Sequence, residues 1–186
     1  MKMQNGMSRW MLCLALAVLS LFGPGAAQAA EKHQLDQDAE AALKALYAST
    51  PTAQVLGEKA KAVLVFPNIT KAGFIVGGQG GDGVLLKGGK PAGYYNTAAI
   101  SVGLQAGAQS FGFAIFFMTD KQLKAFEASK GWEIGVGPSV VFIDTGAGKD
   151  ISSLTTKSDI YGFIFDQKGL MAGISIEGSK ISQIER

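Results

Sequence analysis

Three stretches of this 186-residue chain place residue types at spacings that known chemistries use. Gly78-Gln79-Gly80-Gly81-Asp82-Gly83 spells G-x-G-x-x-G behind a strand-like run, the spacing that cradles a dinucleotide's pyrophosphate. The next residues, Val84-Leu85-Leu86-Lys87 and then Gly88-Gly89, read as a short strand and a turn. The phosphate site needs a helix there, whose first N–H groups would hold the anion. The stretch is therefore expected to be a flexible hairpin turn. Lys87-Gly88-Gly89-Lys90 lacks the Gly-Lys-Ser/Thr ending of a phosphate loop. Ala108-Gln109-Ser110-Phe111-Gly112 is one residue from a G-x-S-x-G nucleophile elbow, but a serine nucleophile needs a base. The chain's one histidine, His33, stands far away in a polar segment. One histidine and one cysteine leave carboxylates as the remaining metal ligands, and no D-x-D-x-D-G loop occurs. Asp36, Asp38 and Glu40 read as residues of a helix start, and Asn68-Ile69-Thr70 is a formal glycosylation sequon. No pair of carboxylates stands out for acid–base work. A non-catalytic protein is the expectation, with no metal and no cofactor.

Charge distribution says more than total charge. The chain carries 17 Lys+Arg against 15 Asp+Glu. A surplus that small gives no support for nucleic-acid binding, which needs concentrated positive charge to displace counterions. Lys59, Lys61, Lys71, Lys87 and Lys90 stand against Asp82 alone, a local balance of +4, whereas Asp120 to Asp166 is net acidic. Lysines interleaved with Phe66, Phe74 and aliphatic residues suit an anionic membrane surface, at about 1 kcal/mol per lysine. Equally, they suit strand edges that must resist pairing. Both readings stand open on the residues alone.

The elements that would position these groups follow from periodicity. Leu35, Ala39, Leu43, Leu46 and Tyr47 recur at helical spacing up to about Ser49, and a second helix is expected over Thr52 to Lys61 with Thr50 as its cap. Beyond Ala62, short β-branched and aromatic runs alternate with glycine clusters. They predict strands at Val63 to Phe66, Gly73 to Val76, Gly83 to Lys87, Gly93 to Thr97, Ala99 to Leu104 and Gln109 to Met118. A helix over Asp120 to Ser129 should turn Leu123, Phe126 and Ala125 inward. Further strands are expected at Trp132 to Val136, Ser139 to Ile143, Asp159 to Phe165 and Leu170 to Ile176, the last two joined by a turn at Asp166-Gln167-Lys168-Gly169. The fold class is α+β: N-terminal helices packed on a predominantly antiparallel, strongly curved or barrel-like sheet, with one interior helix.

The first 29 residues read as an export signal. Lys2 and Arg9 precede a run of about a dozen apolar or small residues from Trp10 to Phe22, then the Gly23-Pro24-Gly25 turn and the small-x-small triplet Ala27-Gln28-Ala29. The run is shorter than the ~20 residues a spanning helix needs. Cleavage after Ala29 would leave a single domain, residues 30–186, and would remove Cys13, the one cysteine, as suits an oxidising compartment. It would also remove two positive charges, leaving 15 of each sign.

The longer strings carry a resemblance. Lys59-Ala60-Lys61-Ala62-Val63-Leu64-Val65-Phe66-Pro67, Lys71-Ala72-Gly73-Phe74 and Gly77-Gly78 through Gly83-Val84-Leu85-Leu86 closely resemble the opening of the SYLF domain family. The likeness continues through Ser101 to Ser110, Gly135-Val136-Gly137-Pro138 and Gly169 to Gly178, in family order. The resemblance implies a lipid-binding module: eukaryotic members bind phosphoinositides through an N-terminal amphipathic helix and basic residues, and some yeast members bind actin. For an exported bacterial-looking chain it implies affinity for a phospholipid or another amphiphile at an envelope membrane, with no actin partner. The candidate lipid-binding residues are Lys59, Lys61, Lys71, Lys87 and Lys90, with Leu43 and Leu46 of the first helix at the acyl boundary. That helix can instead be a core element docked on the sheet. The alternative function is an envelope structural or assembly factor acting through protein contacts, its partner unknown, and a small outer-membrane barrel is a third reading.

Overall fold

The computed structural model describes residues 24–129, 131–135, 140–145, 158–169, 176 and 178–186, of which Leu35–Glu185 pack as one unit. Helix α1 is Pro24–Ser49 and helix α2 is Pro51–Lys59. Strands β1 (Ala62–Lys87) and β2 (Lys90–Phe117) precede helix α3 (Asp120–Ala128). Strands β3 (Trp132–Glu133), β4 (Val141–Asp144), β5 (Ile160–Gly169) and β6 (Lys180–Ile184) complete the sheet. The expected class holds: α+β, with a curled and mostly antiparallel sheet, although β4 runs parallel to β5.

Most of the expected short strands are halves of two very long ones. β1 and β2 form a single antiparallel hairpin from Ala62↔Phe117 to Lys87↔Lys90, turning at Gly88 and Gly89 with φ of +57° and +76°. The glycine run at 78–83, expected as a turn, is extended strand instead. Its glycines serve a close approach. β1 doubles back on itself near residue 75, so that Gly73 faces Gly77, Gly81 faces Asn68 and Ile69, and Gly83 faces Val65 and Phe66. A Cβ on Gly83 would lie 2.7 Å from the Val65 carbonyl oxygen, inside any tolerable contact. β2 wraps outside this inner bend. Its N-terminal half pairs with β6 and its C-terminal half with β5. Read across, the half-barrel runs β4, β5, late β2, early β1, late β1, early β2, β6, β3. Register shifts at Phe66/Ile69 and Phe74/Val76 supply the bending that closes it.

Alternation divides the sheet into two faces. The concave face carries Leu64, Phe66, Ile69, Leu85, Phe111, Phe113, Ile115 and Phe117, closed at one end by Leu123 and Phe126 of α3, the interior helix. Ala125, expected inward, is exposed. Thr119 caps α3, its hydroxyl accepting from the Gln122 N–H at 3.4 Å. The convex face carries Val63, Val65, Val84, Leu86, Tyr94, Ala114, Phe116 and Phe163, covered by Ala39 and Leu46 of α1 and Ala53 of α2.

Three local expectations need correction. α1 starts at Pro24, a residue whose fixed φ suits a first turn, so Asp36, Asp38 and Glu40 lie inside the helix and not at its dipole end. Thr50 does precede α2 but makes no side-chain capping bond; its hydroxyl lies 3.4 Å from that of Ser49. β5 runs through the expected turn at Asp166–Gly169, with φ of +50° at Asp166 and +120° at Gly169. The strand expected at Leu170 to Ile176 lies outside the described residues except for Ile176, as do Val136 and Ser139 of two others.

Asp36 has a different use from the one its position suggested. The Tyr94 hydroxyl donates to its carboxylate at 2.9 and 3.2 Å, tying α1 to β2. Burial first, then this hydrogen bond and the carboxylate's charge, push the Tyr94 pKa up to about 12. An unfolded tyrosine loses its proton near 10, so the folded state holds this proton more tightly. The resulting stability is fully present below pH 10 and is lost as pH rises from 10 to 12. Tyr94→Phe is expected to cost about 1 kcal/mol at neutral pH and to flatten the loss of melting temperature over that alkaline window, measured by thermal unfolding across pH.

Candidate functional site

The candidate lysines do not form one surface. Lys59 and Lys61 lead into β1, and Lys87 and Lys90 flank its far turn; because β1 doubles back, all four meet at one end of the half-barrel, beside α3. Acidic groups of α3 meet them there. Lys61 lies 3.8 Å from Asp120 and Lys87 lies 2.6 Å from Glu127. Such exposed pairs contribute at most about 1 kcal/mol, but they offset half of the four charges. With Lys121 and Lys124, this end holds six lysines against Glu58, Asp120, Glu127 and Asp159, the last bonded by Gln122 of α3 at 3.3 Å, a surplus of two. Lys71 is elsewhere. It sits toward the opposite end on the concave face, 3% exposed, opposite Gln109 in register.

The helix residues also differ from the membrane-inserted picture. Leu46 is 0% exposed beneath α1 and Leu43 packs partly buried on the same cluster, so the docked-helix alternative is the observed arrangement. In this position the apolar stripe of α1 is already occupied by the sheet.

The end opposite the four lysines has a different character. It is the tip of the nested hairpin, where β1 turns back inside β2. No charged residue occurs from Ala72 to Gly81 or from Pro91 to Thr119. Phe74 is 75% exposed, Val76 57% and Ile100 84%. Strand parity and the register shift between Phe74 and Val76 place all three on the convex face, beyond the reach of the helices that cover its other half. Ile100 pairs with Gly78, so Val76 is its diagonal neighbour at about 7–8 Å. Below the tip, Lys168 stands opposite Ser110 and Lys180 opposite Ala98 on the flanking strands. Each has an acidic neighbour: Asp166 bonds Lys168 at 2.9 Å and Glu133 faces Lys180 in register.

A groove of about 500 Å³ opens between α1 and the sheet, lined by Ala41, Ala42 and Ala45 of the helix and by Pro67, Ser110 and Phe111. The short side chains of these helix residues leave that space unfilled. Ser110 thus reaches a cavity, yet the groove's lining holds no histidine, and its charged members are Asp38, Asp166 and Lys168. No group of three metal-ligating side chains gathers among the described residues. No helix among them is long and apolar enough to cross a membrane.

Residues 98–186 match the family model Ysc84, described as Las17-binding protein actin regulator. That stretch, just under half of the chain, is similar to the SYLF family. No curated protein matches the chain. The match opens at Ala98, where β2 leaves β6 and enters the hairpin tip, and runs on through α3 and β3 to β6. The SYLF match therefore takes in the outer half of the tip, including Ile100, and the whole acidic neighbourhood of α3. The family description is of a binding protein. Sequence reasoning placed Phe74, Val76 and Ile100 in strands but did not group them as a surface. The readable signal was the uncharged length from Pro91 to Thr119, in which a solvent-facing strand ordinarily carries charge.

Proposed function

We propose that this protein is a non-catalytic phospholipid-binding protein of the bacterial cell envelope, peripheral to a membrane. In this reading the chain is exported by the signal at residues 1–29, cleaved after Ala29, and acts in the periplasm as one domain. The family match supports binding, and the resemblance of the longer strings points that binding to lipid. The observation that carries the reading is the uncharged hairpin tip with Phe74, Val76 and Ile100 turned outward. Apolar side chains grouped on a surface and rimmed by polar residues mark an interaction site, and a site without charge fits an apolar ligand. Lys59, Lys61, Lys87 and Lys90 gather at the other end, where Asp120 and Glu127 pair with two of them and reduce the local balance of +4 that the sequence alone suggested. Native mass spectrometry of the protein purified without detergent tests the assignment. A co-purified phospholipid or related amphiphile is the expected result, and a protein free of amphiphile that also fails to take one up from vesicles contradicts it.

A second reading is an envelope assembly factor working through protein contacts, and the matched family's description as a Las17-binding protein is compatible with it. A stoichiometric protein partner with no bound lipid would favour this reading.

A further inference from the structure

We infer that the nested hairpin tip is the element that enters the bilayer, shallowly and without dependence on anionic lipid. This rests on the lipid-binding reading and assigns its contact to one end of the molecule. Three observations lead there. Of the four large hydrophobic side chains that are exposed among the described residues, three are Phe74, Val76 and Ile100, and all lie at this tip on one face. The strands that carry them have no charge within the bend on either layer, so nothing ionised has to enter hydrocarbon with them. The first charges below the tip come in both signs, Lys71 and Asp82 on the inner layer, and Lys168 with Asp166 and Lys180 facing Glu133 on the flanking strands, giving a base close to neutral.

Side-chain reach sets the depth. The inner layer is paired with β2 through Phe74↔Ala106, Val76↔Val102 and Gly78↔Ile100, so the tip is a paired ribbon. Three apolar side chains on one face of that ribbon extend only to the upper acyl region, with the backbone that carries them at headgroup level, where its polar groups meet interfacial water. This orientation turns the Lys59, Lys61, Lys87 and Lys90 end away from the membrane, along a strand half whose contour is up to roughly 40 Å at the usual rise per residue.

The test uses the chain's cysteine content. Cys13 is the one cysteine, and once the signal is removed a single introduced thiol is unique. Phe74→Cys and Ile100→Cys, each labelled with a polarity-sensitive dye, are mixed with vesicles of zwitterionic phospholipid and with vesicles containing one-third anionic phospholipid. Lys90→Cys labels the opposite end. The expected result is a blue-shifted, several-fold brighter signal at 74 and 100 that bromolipids quench, no change at 90, and similar binding in both lipids and at raised salt. The unlabelled double variant Phe74→Asp/Ile100→Asp should retain its melting temperature, because both sites are exposed, and lose at least tenfold in vesicle affinity. Vesicle binding with silent dyes at 74 and 100, or binding that needs anionic lipid, overturns tip insertion while leaving the lipid reading intact. Failure of the wild-type protein to bind any vesicle overturns both. A dye response that grows with protein concentration in the absence of lipid assigns the tip to a second copy of the chain and likewise overturns the inference.

Discussion

Gly83→Val should leave little folded protein. The fold depends on β1 lying against itself, and at Gly83 the Val65 carbonyl oxygen and the Phe66 ring occupy the space a side chain would need, the oxygen only 2.7 Å from a Cβ position. Both obstacles belong to buried inner strands whose other faces are already filled, so neither can give way without parting the inner pair. Burial of a misfit on this scale belongs with the largest single-site effects, above about 4 kcal/mol. The matched control is Gly78→Ala, in the same strand, where the nearest atom to a new Cβ is the Ala99 carbonyl oxygen at 4.0 Å. That change should be neutral or slightly stabilising, because it restricts the unfolded chain without crowding the folded one. Far-ultraviolet circular dichroism and urea unfolding of the two variants separate a steric requirement from a general intolerance of losing glycine.

Phe117→Ala is the second large expectation, at a cost of about 3–5 kcal/mol. Phe117 is wholly buried and joins three elements: its ring lies 4.9 Å from that of Phe126 on α3 and 6.4 Å from that of Trp132 on β3, which themselves meet edge to face at 5.8 Å. Removing it opens a cavity at the end of the concave core and loosens the plug that α3 forms there. Trp132 is the one tryptophan beyond the signal segment, so its fluorescence reports this site. The variant should show a lower urea midpoint and a red-shifted native emission. An unchanged midpoint would mean that α3 does not close the core as described.

Legibility in the sequence divides along the range of the interactions involved. α3 was legible because its cues are local: Asp120 at its start, then Leu123 and Phe126 at helical spacing. The class of fold was legible too, since β-branched runs after amphipathic helices restrict the architecture. The nested hairpin was not. Its glycines at 81 and 83 look like turn residues to any local reading, whereas they are required by residues 12 to 18 positions earlier in the chain. The same distance in sequence hid the pairing of Lys61 with Asp120 and of Lys87 with Glu127, so that a lysine-rich segment looked like a free basic lobe. Helix α1 shows the reverse case. Its stripe of Leu35, Ala39, Leu43 and Leu46 is equally suited to a sheet or to a bilayer, and periodicity cannot choose between them. In the fold the stripe packs on the sheet beneath it, which shifts the search for a lipid contact to the end of the sheet that no helix covers.

The polarity that results gives the protein two ends: a basic one partly neutralised by α3, and an apolar one without charge. These ends make opposite demands on a membrane. A lysine-led contact would weaken steeply with salt and fail on neutral lipid, whereas an apolar contact would persist under both conditions. Vesicle co-sedimentation of the wild-type protein, on zwitterionic and on anionic phospholipid at low and high salt, is the most direct measurement of the central claim. The account predicts that the protein pellets with both kinds of vesicle and changes little with salt. A protein that stays in the supernatant with every composition would contradict it.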